Sequence, residues 1–210
     1  MIQDHIQVSF NHDPEDIVLT ADWHLWLKDR ENINNGNILK RDNFDKIINM
    51  YSNLHTYKFL IHMGDLTDDE MDDPEQLISV MKKISCKKIL IRGNNDAFDL
   101  QVYKDCGFEE VYDNGFIFNN MLFTHMPEEH DTELNVHGHY HGCKMYWNCP
   151  FDHHVDIWNI DRTPIKYNHL QKLYEGYRDS GIMDISGLHL TGKEFKEMRG
   201  HYNGKKKEEF

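Results

Sequence analysis

The chain has 210 residues, of which 39% are apolar and 28% charged, and its formal net charge is −13. That balance fits one substantial soluble core, or two small domains at most, and is too aromatic for a disordered chain. The negative charge argues against non-specific nucleic-acid binding, although two bound divalent cations would make a local pocket attractive to phosphate. No run approaches the roughly 18 to 20 apolar residues of a membrane span. The opening MIQDHIQVSFNHDPED lacks the basic start and apolar stretch of a signal peptide, so none is expected. Cys86, Cys106, Cys143 and Cys149 form no CxxC pair. Reduced thiols and a cytoplasmic location are therefore expected, with a zinc site from Cys143, Cys149, His153 and His154 as an alternative that fits no common spacing.

In chain order, Ile17 to Ala21 (IVLTA) predicts a short strand. Leu39 to Leu54 carries Phe44, Ile47, Ile48, Tyr51 and Leu54 at helical spacing. Lys58 to His62 is again strand-like. Asp73-Pro74 opens a helix whose apolar positions are Leu77, Ile78, Val80, Met81 and Ile84. Lys88 to Ile91 predicts a third strand and Asp99 to Cys106 a further helix. This alternation implies crossover connections and a mostly parallel sheet, with ligands gathering at the carboxyl ends of the strands.

The pattern then changes. Glu109 to Thr124 reads as short strands separated by turns at Asp113-Asn114-Gly115 and Asn119-Asn120. Lys144 to Trp147 and His154 to Trp158 predict more strands, so the second half suggests a second sheet stacked on the first. Asn168 to Arg178 predicts a helix, and Thr191 with Glu194 forms a capping box before a short helix through Met198. The end, Lys205 to Phe210, is expected to fray. The acidic run Asp68 to Asp73 reads as a solvated loop, with an acidic rim beside a metal site as the sharper alternative.

Polar clusters follow the strand-like runs: Asp22-Trp23-His24 after IVLTA, Gly64-Asp65 after FLIHM and Gly93-Asn94-Asn95-Asp96 after KILIR. His125 follows MLFT, and Gly138-His139-Tyr140-His141 follows LNVH. Residues two apart in an extended segment point to one side, so Asp22 and His24 can face one point, as can His139 and His141. Mixed imidazole and carboxylate ligands suit Mn, Fe, Zn or Co better than Ca or Mg. One carboxylate can bridge two cations about 3.5 to 4 Å apart. Glycines before Asp65, Asn94 and His139 allow tight turns that aim the ligands inward.

This arrangement resembles the calcineurin-like metallophosphoesterase superfamily, whose signature runs DxH, GD, GNH[DE], a lone His, then GHxH. The resemblance covers about Ile17 to His141 and extends to the VDIWN segment near Val155; small single-domain bacterial and phage members are the most similar. It implies an α/β fold, a four-layer α/β/β/α sandwich of two stacked mixed β-sheets. A single domain over residues 1–210 is expected, with a motif core over about 17–160 and a C-terminal extension over about 167–210. By motif position the resemblance gives Asp22, His24 and His141 to a first metal and Asn94, His125 and His139 to a second, with Asp65 bridging. Two divalent ions are implied, Mn²⁺ first, with Fe, Zn, Co or Ni as alternatives. The implied partner is a small phosphate ester attacked by a hydroxide held between the cations. No membrane association is expected, and a homodimer is left open.

The signature fails at one position: Asn95 stands where the family has the His commonly assigned to protonate the leaving oxygen. An amide donates a hydrogen bond but delivers no proton at neutral pH, and general acid catalysis contributes about 10²- to 10⁴-fold. The departure favours phosphodiesters, aryl or strained cyclic esters over simple monoesters. Asn95, Asp96 and Asp65 are the candidate catalytic residues, and His62, His130 or His137 are candidate substitutes for the missing acid. Asp96 either orients a neighbour or caps a helix beginning near Ala97. Arg92 reads as a strand-end ion pair or a phosphate contact, and Trp23 and Trp26 as sheet packing or a stacking platform. The competing functions are a nuclease or polynucleotide phosphodiesterase, a phosphomonoesterase, and a non-catalytic metal-binding scaffold.

Overall fold

A computed structural model describes residues 5–10, 13–26, 30–31, 38–39, 43–53, 57–68, 71–128, 130–132, 134–141, 154–157, 163–179 and 188–189. The chain runs β1 (Ile17–Thr20), β2 (Arg30–Glu31), β3 (Ile38–Leu39), α1 (Asn43–Ser52), β4 (Phe59–Met63), α2 (Pro74–Met81), β5 (Lys87–Ile91) and α3 (Leu100–Asp105). It continues through β6 (Phe108–Tyr112), β7 (Phe116–Phe118), β8 (Met121–Phe123), β9 (Leu134–His137), β10 (His154–Asp156), β11 (Ile165–Lys166), α4 (Tyr167–Asp179) and β12 (Leu188–His189).

Two mixed sheets result, in the orders β11-β1-β4-β5-β6 and β12-β10-β9-β8-β7. In the first, β1, β4, β5 and β6 are parallel and β11 closes the edge antiparallel. In the second, β8, β9, β10 and β12 are parallel and β7 is antiparallel. The expected pair of stacked mixed sheets is the fold observed.

Strand periodicity explains the stacking. In β1, β4 and β5, alternate residues Ile17, Leu19, Phe59, Ile61, Met63, Ile89 and Ile91 face one core, which they share with Phe116, Phe118, Phe123, Leu134 and Val136 of the second sheet. The intervening Val18, Leu60 and Leu90 face a second core, with Ile47, Ile48 and Tyr51 of α1, Leu77 and Met81 of α2, and Tyr103 of α3. Both faces of the first sheet are covered, which is why its central strands read as unbroken apolar runs. From the β11 edge, α4 inserts Tyr167 and Leu170 into the inter-sheet core.

The local signals act largely as expected. Pro74 occupies the first turn of α2, and the Asp73 carboxylate accepts from the Gln76 N–H at 3.0 Å. Asn119 and Asn120 both have positive φ, 48° and 60°, and make the β7–β8 hairpin, the backbone that a type I′ turn requires. The helix expected from Leu39 begins instead at Asn43, because Ile38–Leu39 pairs with Arg30–Glu31 as a small ribbon. The Asp113-Asn114-Gly115 turn closes no hairpin: β6 pairs in parallel with β5, and the turn carries the chain from the first sheet to the second. The strand expected at Lys144 to Trp147, the helix at Thr191 to Met198, the Lys205 to Phe210 end, and Cys143, Cys149 and His153 lie outside the described residues. Cys86 and Cys106 are free thiols. Among the described residues, no helix is long and apolar enough to cross a membrane.

Ile61 tests this packing, since it is fully buried at the centre of the inter-sheet core. Ile61→Ala should lower the unfolding free energy of metal-free protein by about 2–5 kcal/mol. Urea titration should show an earlier midpoint at an unchanged m-value.

Candidate metal centre

Five loops leave the carboxyl ends of β1, β4, β5, β8 and β9. They converge because the strands within each sheet that carry them run parallel. The first two loops are held to one another by backbone pairing that outlasts the strands. The Asp22, His24 and Leu25 N–H groups donate to the carbonyls of Gly64 (2.9 Å), Asp65 (3.0 Å) and Leu66 (3.0 Å), and the Asp68 N–H returns to the Leu25 carbonyl (3.3 Å). Asp22, His24, Asp65, His139 and His141 all adopt left-handed φ, between 45° and 68°. Such φ values are uncommon for residues with a Cβ and persist only where the surroundings over-determine them.

The side chains form two adjoining groups. Asp22, His24, Asp65 and His141 bring one ligand atom each to a common point, and Asp65, His125 and His139 do the same. Asp65 belongs to both. Its Oδ2 lies 3.5 Å from His24 Nε2 and its Oδ1 3.4 Å from His125 Nε2. His141 Nε2 stands 3.0 Å from His24 Nε2 and 3.2 Å from Asp22 Oδ1. In the second group His125 Nε2 stands 3.1 Å from Asn94 Oδ1 and 3.2 Å from His139 Nδ1. The expected ligands Asp22, His24, Asp65, Asn94, His125, His139 and His141 are thus brought together.

The chemistry of this set fits cations. His125 Nδ1 lies 3.0 Å from the Met63 carbonyl, which takes a ring N–H and leaves the Nε2 lone pair facing the cluster. Imidazole nitrogens crowded against one another and against carboxylates offer more lone pairs than N–H groups, an imbalance that divalent metals resolve. Electrostatics agree. Burial alone would raise the Asp22 carboxyl, but His141, with help from His125 and His24, holds it well below the usual carboxylate range. Burial and the neighbouring His125 lower His139, favouring the neutral, ligating imidazole. The carboxylates of Asp22 and Asp65 are deep, whereas Asn94 is exposed and His139 and His141 are half-buried, so the centre opens on the Asn94 side.

Glycines serve this approach in two ways. Gly64 has φ +85°, the turn conformation expected of it. Gly138 does not adopt positive φ; a Cβ there would sit 2.5 Å from Asp22 Oδ2, so its role is to admit that carboxylate.

Asp96 caps no helix, since α3 begins at Leu100 with Asp99 at its N-cap. Its buried carboxylate instead accepts from the N–H groups of Leu66 (3.0 Å) and Thr67 (3.2 Å) on Oδ1 and Gly93 (2.8 Å) on Oδ2. It thereby ties the β4 loop to the β5 loop. Burial pushes this carboxyl up to about 6, against the lowering pull of the Gly93 and Thr67 N–H groups. Asn95 donates its backbone N–H to Asp65 Oδ1 (3.0 Å) and its side-chain amide to Asp65 Oδ2 (2.8 Å).

The other candidates are structural. Arg92 donates to Asp113 Oδ1 (2.9 Å) and to the Asp96 carbonyl (2.9 Å), the ion-pair reading. Trp23 is buried against Tyr51 and His62, with its Nε1–H on Thr20 Oγ1, so it offers no stacking platform; Trp26 packs at the edge of the same core. His62 lies under Trp23, His137 is buried with Nδ1 2.7 Å from the Gly138 carbonyl, and His130 packs on His5. None of the three belongs to the ligand cluster. Asp68 departs from the solvated-loop expectation: it is 5% exposed, with Oδ2 3.6 Å from His24 Nδ1. Its position beside His24 agrees with the sharper alternative, an acidic rim beside the site, for this one residue of the run.

The family model of the calcineurin-like phosphoesterases matches residues 16–197. No curated protein matches significantly. Among solved structures, a protein of unknown function, AQ665 from Aquifex aeolicus, superimposes with TM-score 0.57 at 23% identity, covering 75% of this chain and 98% of that one. The nuclease MPE of Pseudomonas putida gives TM-score 0.45 at 20% identity, over 60% of this chain and 62% of its own. At these identities the first likeness shows the fold alone.

The Asp96 latch has a measurable consequence. Asp96→Asn places an amide nitrogen against backbone N–H donors and should cost about 1–3 kcal/mol of stability. Urea unfolding of metal-free protein checks this; a wild-type midpoint would mean that the three N–H contacts carry little.

Proposed function

The chain belongs to the calcineurin-like phosphoesterases, and from that premise we propose that it is a dinuclear metal-dependent phosphodiesterase of small or nucleotide-type substrates. Membership makes it a hydrolase of phosphoester bonds; the two-metal chemistry and the diester preference are our own reading. The observation that carries it is Asp65, a buried carboxylate shared by both ligand groups.

In this reading Asp22, His24, His141 and Asp65 hold one cation, and Asn94, His125, His139 and Asp65 hold the other. Manganese is the first choice for such oxygen and imidazole ligands. When bound, such a metal pair supplies a water that ionises near neutral pH and positive charge for the phosphoryl oxygens. The chain's own contribution is order. Met63 fixes the His125 ring through Nδ1, Asn95 fixes Asp65 through both carboxylate oxygens, and the Asp22 carboxylate accepts from the His139 N–H at 3.0 Å. The ligands are set before substrate arrives, so little reorganisation remains to be done.

Asn95 governs the substrate preference. Its amide is engaged with Asp65 and has no proton to give. The leaving oxygen must depart without an acid from this position, which penalises simple alkyl monoesters most. Aryl and cyclic diesters tolerate that lack. The net charge of −13 also suits a small substrate better than a polynucleotide.

Metal-depleted protein should hydrolyse neither bis(p-nitrophenyl) phosphate nor the alkyl monoester glycerol 2-phosphate, and Mn²⁺ should restore the diesterase activity preferentially. A single-stranded oligonucleotide cleaved faster than the small diester would replace our substrate assignment with a nuclease. Asp65→Asn should reduce Mn²⁺-supported turnover by more than about 100-fold, beyond the loss seen for outer partners of a metal site. Full activity at full metal occupancy would remove Asp65 from the bridge. Asn95→His should raise monoesterase relative to diesterase activity, toward the roughly 100-fold lower end of general acid effects. An unchanged ratio would refute our account of the departure.

A further inference from the structure

We propose that Asp68 is a positioning residue that fixes the tautomer and ring orientation of His24, and thereby sets the affinity of the first cation site. The inference rests on the metal-centre reading and deepens it.

His24 has two ring nitrogens and two different surroundings. Nε2 faces the cluster, 3.0 Å from His141 Nε2 and 3.5 Å from Asp65 Oδ2. Nδ1 faces away from it, toward Asp68 Oδ2 at 3.6 Å. Both side chains are 7% exposed, so water does little to screen the pair. A neutral imidazole carries one N–H; at 3.6 Å the Asp68 carboxylate is beyond hydrogen-bond reach of Nδ1, but its negative charge favours the proton on that nitrogen. The Nε2 lone pair is then presented to the cluster, the arrangement that carboxylate–histidine–metal triads use. The opposite tautomer would set the Nδ1 lone pair against a buried anion and aim an N–H at the cation site.

Asp68 is held in place independently of the side-chain contact. Its N–H donates to the Leu25 carbonyl at 3.3 Å, its carbonyl accepts from the Met71 N–H at 3.0 Å, and Thr67 bridges Leu25 in parallel. Leu25 is the next residue after His24, so the backbone of one loop sets the distance between carboxylate and ring. Asp72, four residues on in the same acidic run, is exposed and serves as the charge control.

The test uses the full chain with Mn²⁺ alone and two independent measurements. Calorimetric titration should show Asp68→Ala losing about 10- to 100-fold in affinity at one of the two sites. Asp68→Asn, which keeps an acceptor oxygen, should lose less, and Asp72→Asn should match wild type. Far-UV circular dichroism confirms that each variant is folded. Nitrogen-15 NMR of the metal-free protein, followed upward in pH until the ring shifts stop changing, should place the His24 proton on Nδ1 in wild type and a tautomer mixture in Asp68→Ala.

Wild-type affinity in Asp68→Ala, an equal loss in Asp72→Asn, or a His24 proton on Nε2 in the wild type would each overturn the proposal. A wild-type protein that takes up no Mn²⁺ while its His24 carries the Nδ1 proton would sink the metal-centre reading instead, leaving the tautomer assignment standing.

Discussion

The centre depends on parallel pairing that continues past the ends of β1 and β4. The strands stop at Thr20 and Met63, but the hydrogen bonds run on through Asp22, His24 and Leu25 to Gly64, Asp65 and Leu66. A loop free to relax would not keep Asp22, His24 and Asp65 at positive φ. The cost of that backbone is met by hydrogen bonds within the chain, which hold the donor set in register. The same pairing seats Asp68 beside Leu25, which is how a residue outside the signature comes to face a ring inside it.

Three side chains carry this order to the other loops. The Asp96 carboxylate joins the β4 and β5 loops through backbone N–H groups, and Asp22 reaches the second sheet through the His139 N–H. Asn95 closes the third link on Asp65. Each acceptor is a carboxylate and each donor an amide, so these bonds are of the charge-assisted kind, stronger than neutral ones. They also divide the labour among the acids. Asp22 and Asp65 turn their carboxylates into the cluster, whereas Asp96 is turned wholly toward the backbone and lies outside both ligand groups.

The sequence displayed these parts unequally. The strands of both sheets other than the two-residue edges β11 and β12 were legible because burial on one or both faces writes itself into local apolar runs, and the donors were legible because each follows such a run. Asp68 was legible only as the less favoured acidic-rim alternative. Five acids in six residues look solvated when read locally, whereas the Asp68 backbone pairs with Leu25, which is 43 positions earlier by residue number. Asp96 sat ambiguously between a cap and a latch because both begin with a carboxylate near free N–H groups; which groups lie nearest is a tertiary fact. The Asp113-Asn114-Gly115 turn misled for a related reason. Its composition specifies a reversal, but whether the reversal joins partners or separates sheets depends on what β5 offers β6.

Asn95 shows how one substitution redistributes roles without dissolving a site. An imidazole can hold a proton for a leaving group; an amide can only donate a fixed hydrogen bond. Here that bond goes to Asp65 Oδ2, while the backbone N–H of the same residue takes Oδ1. In the proposed mechanism the change trades proton delivery for a more firmly held bridging carboxylate. Each oxygen of Asp65 has lone pairs for both an N–H and a metal, so anchoring and ligation do not compete. His62, His130 and His137 are all committed to packing or backbone contacts elsewhere, so none of them restores the missing acid. In the proposed mechanism the burden would pass to the substrate, whose leaving oxygen would have to be stable enough to depart as an anion. Under the proposed mechanism, leaving-group chemistry is what this centre would select on.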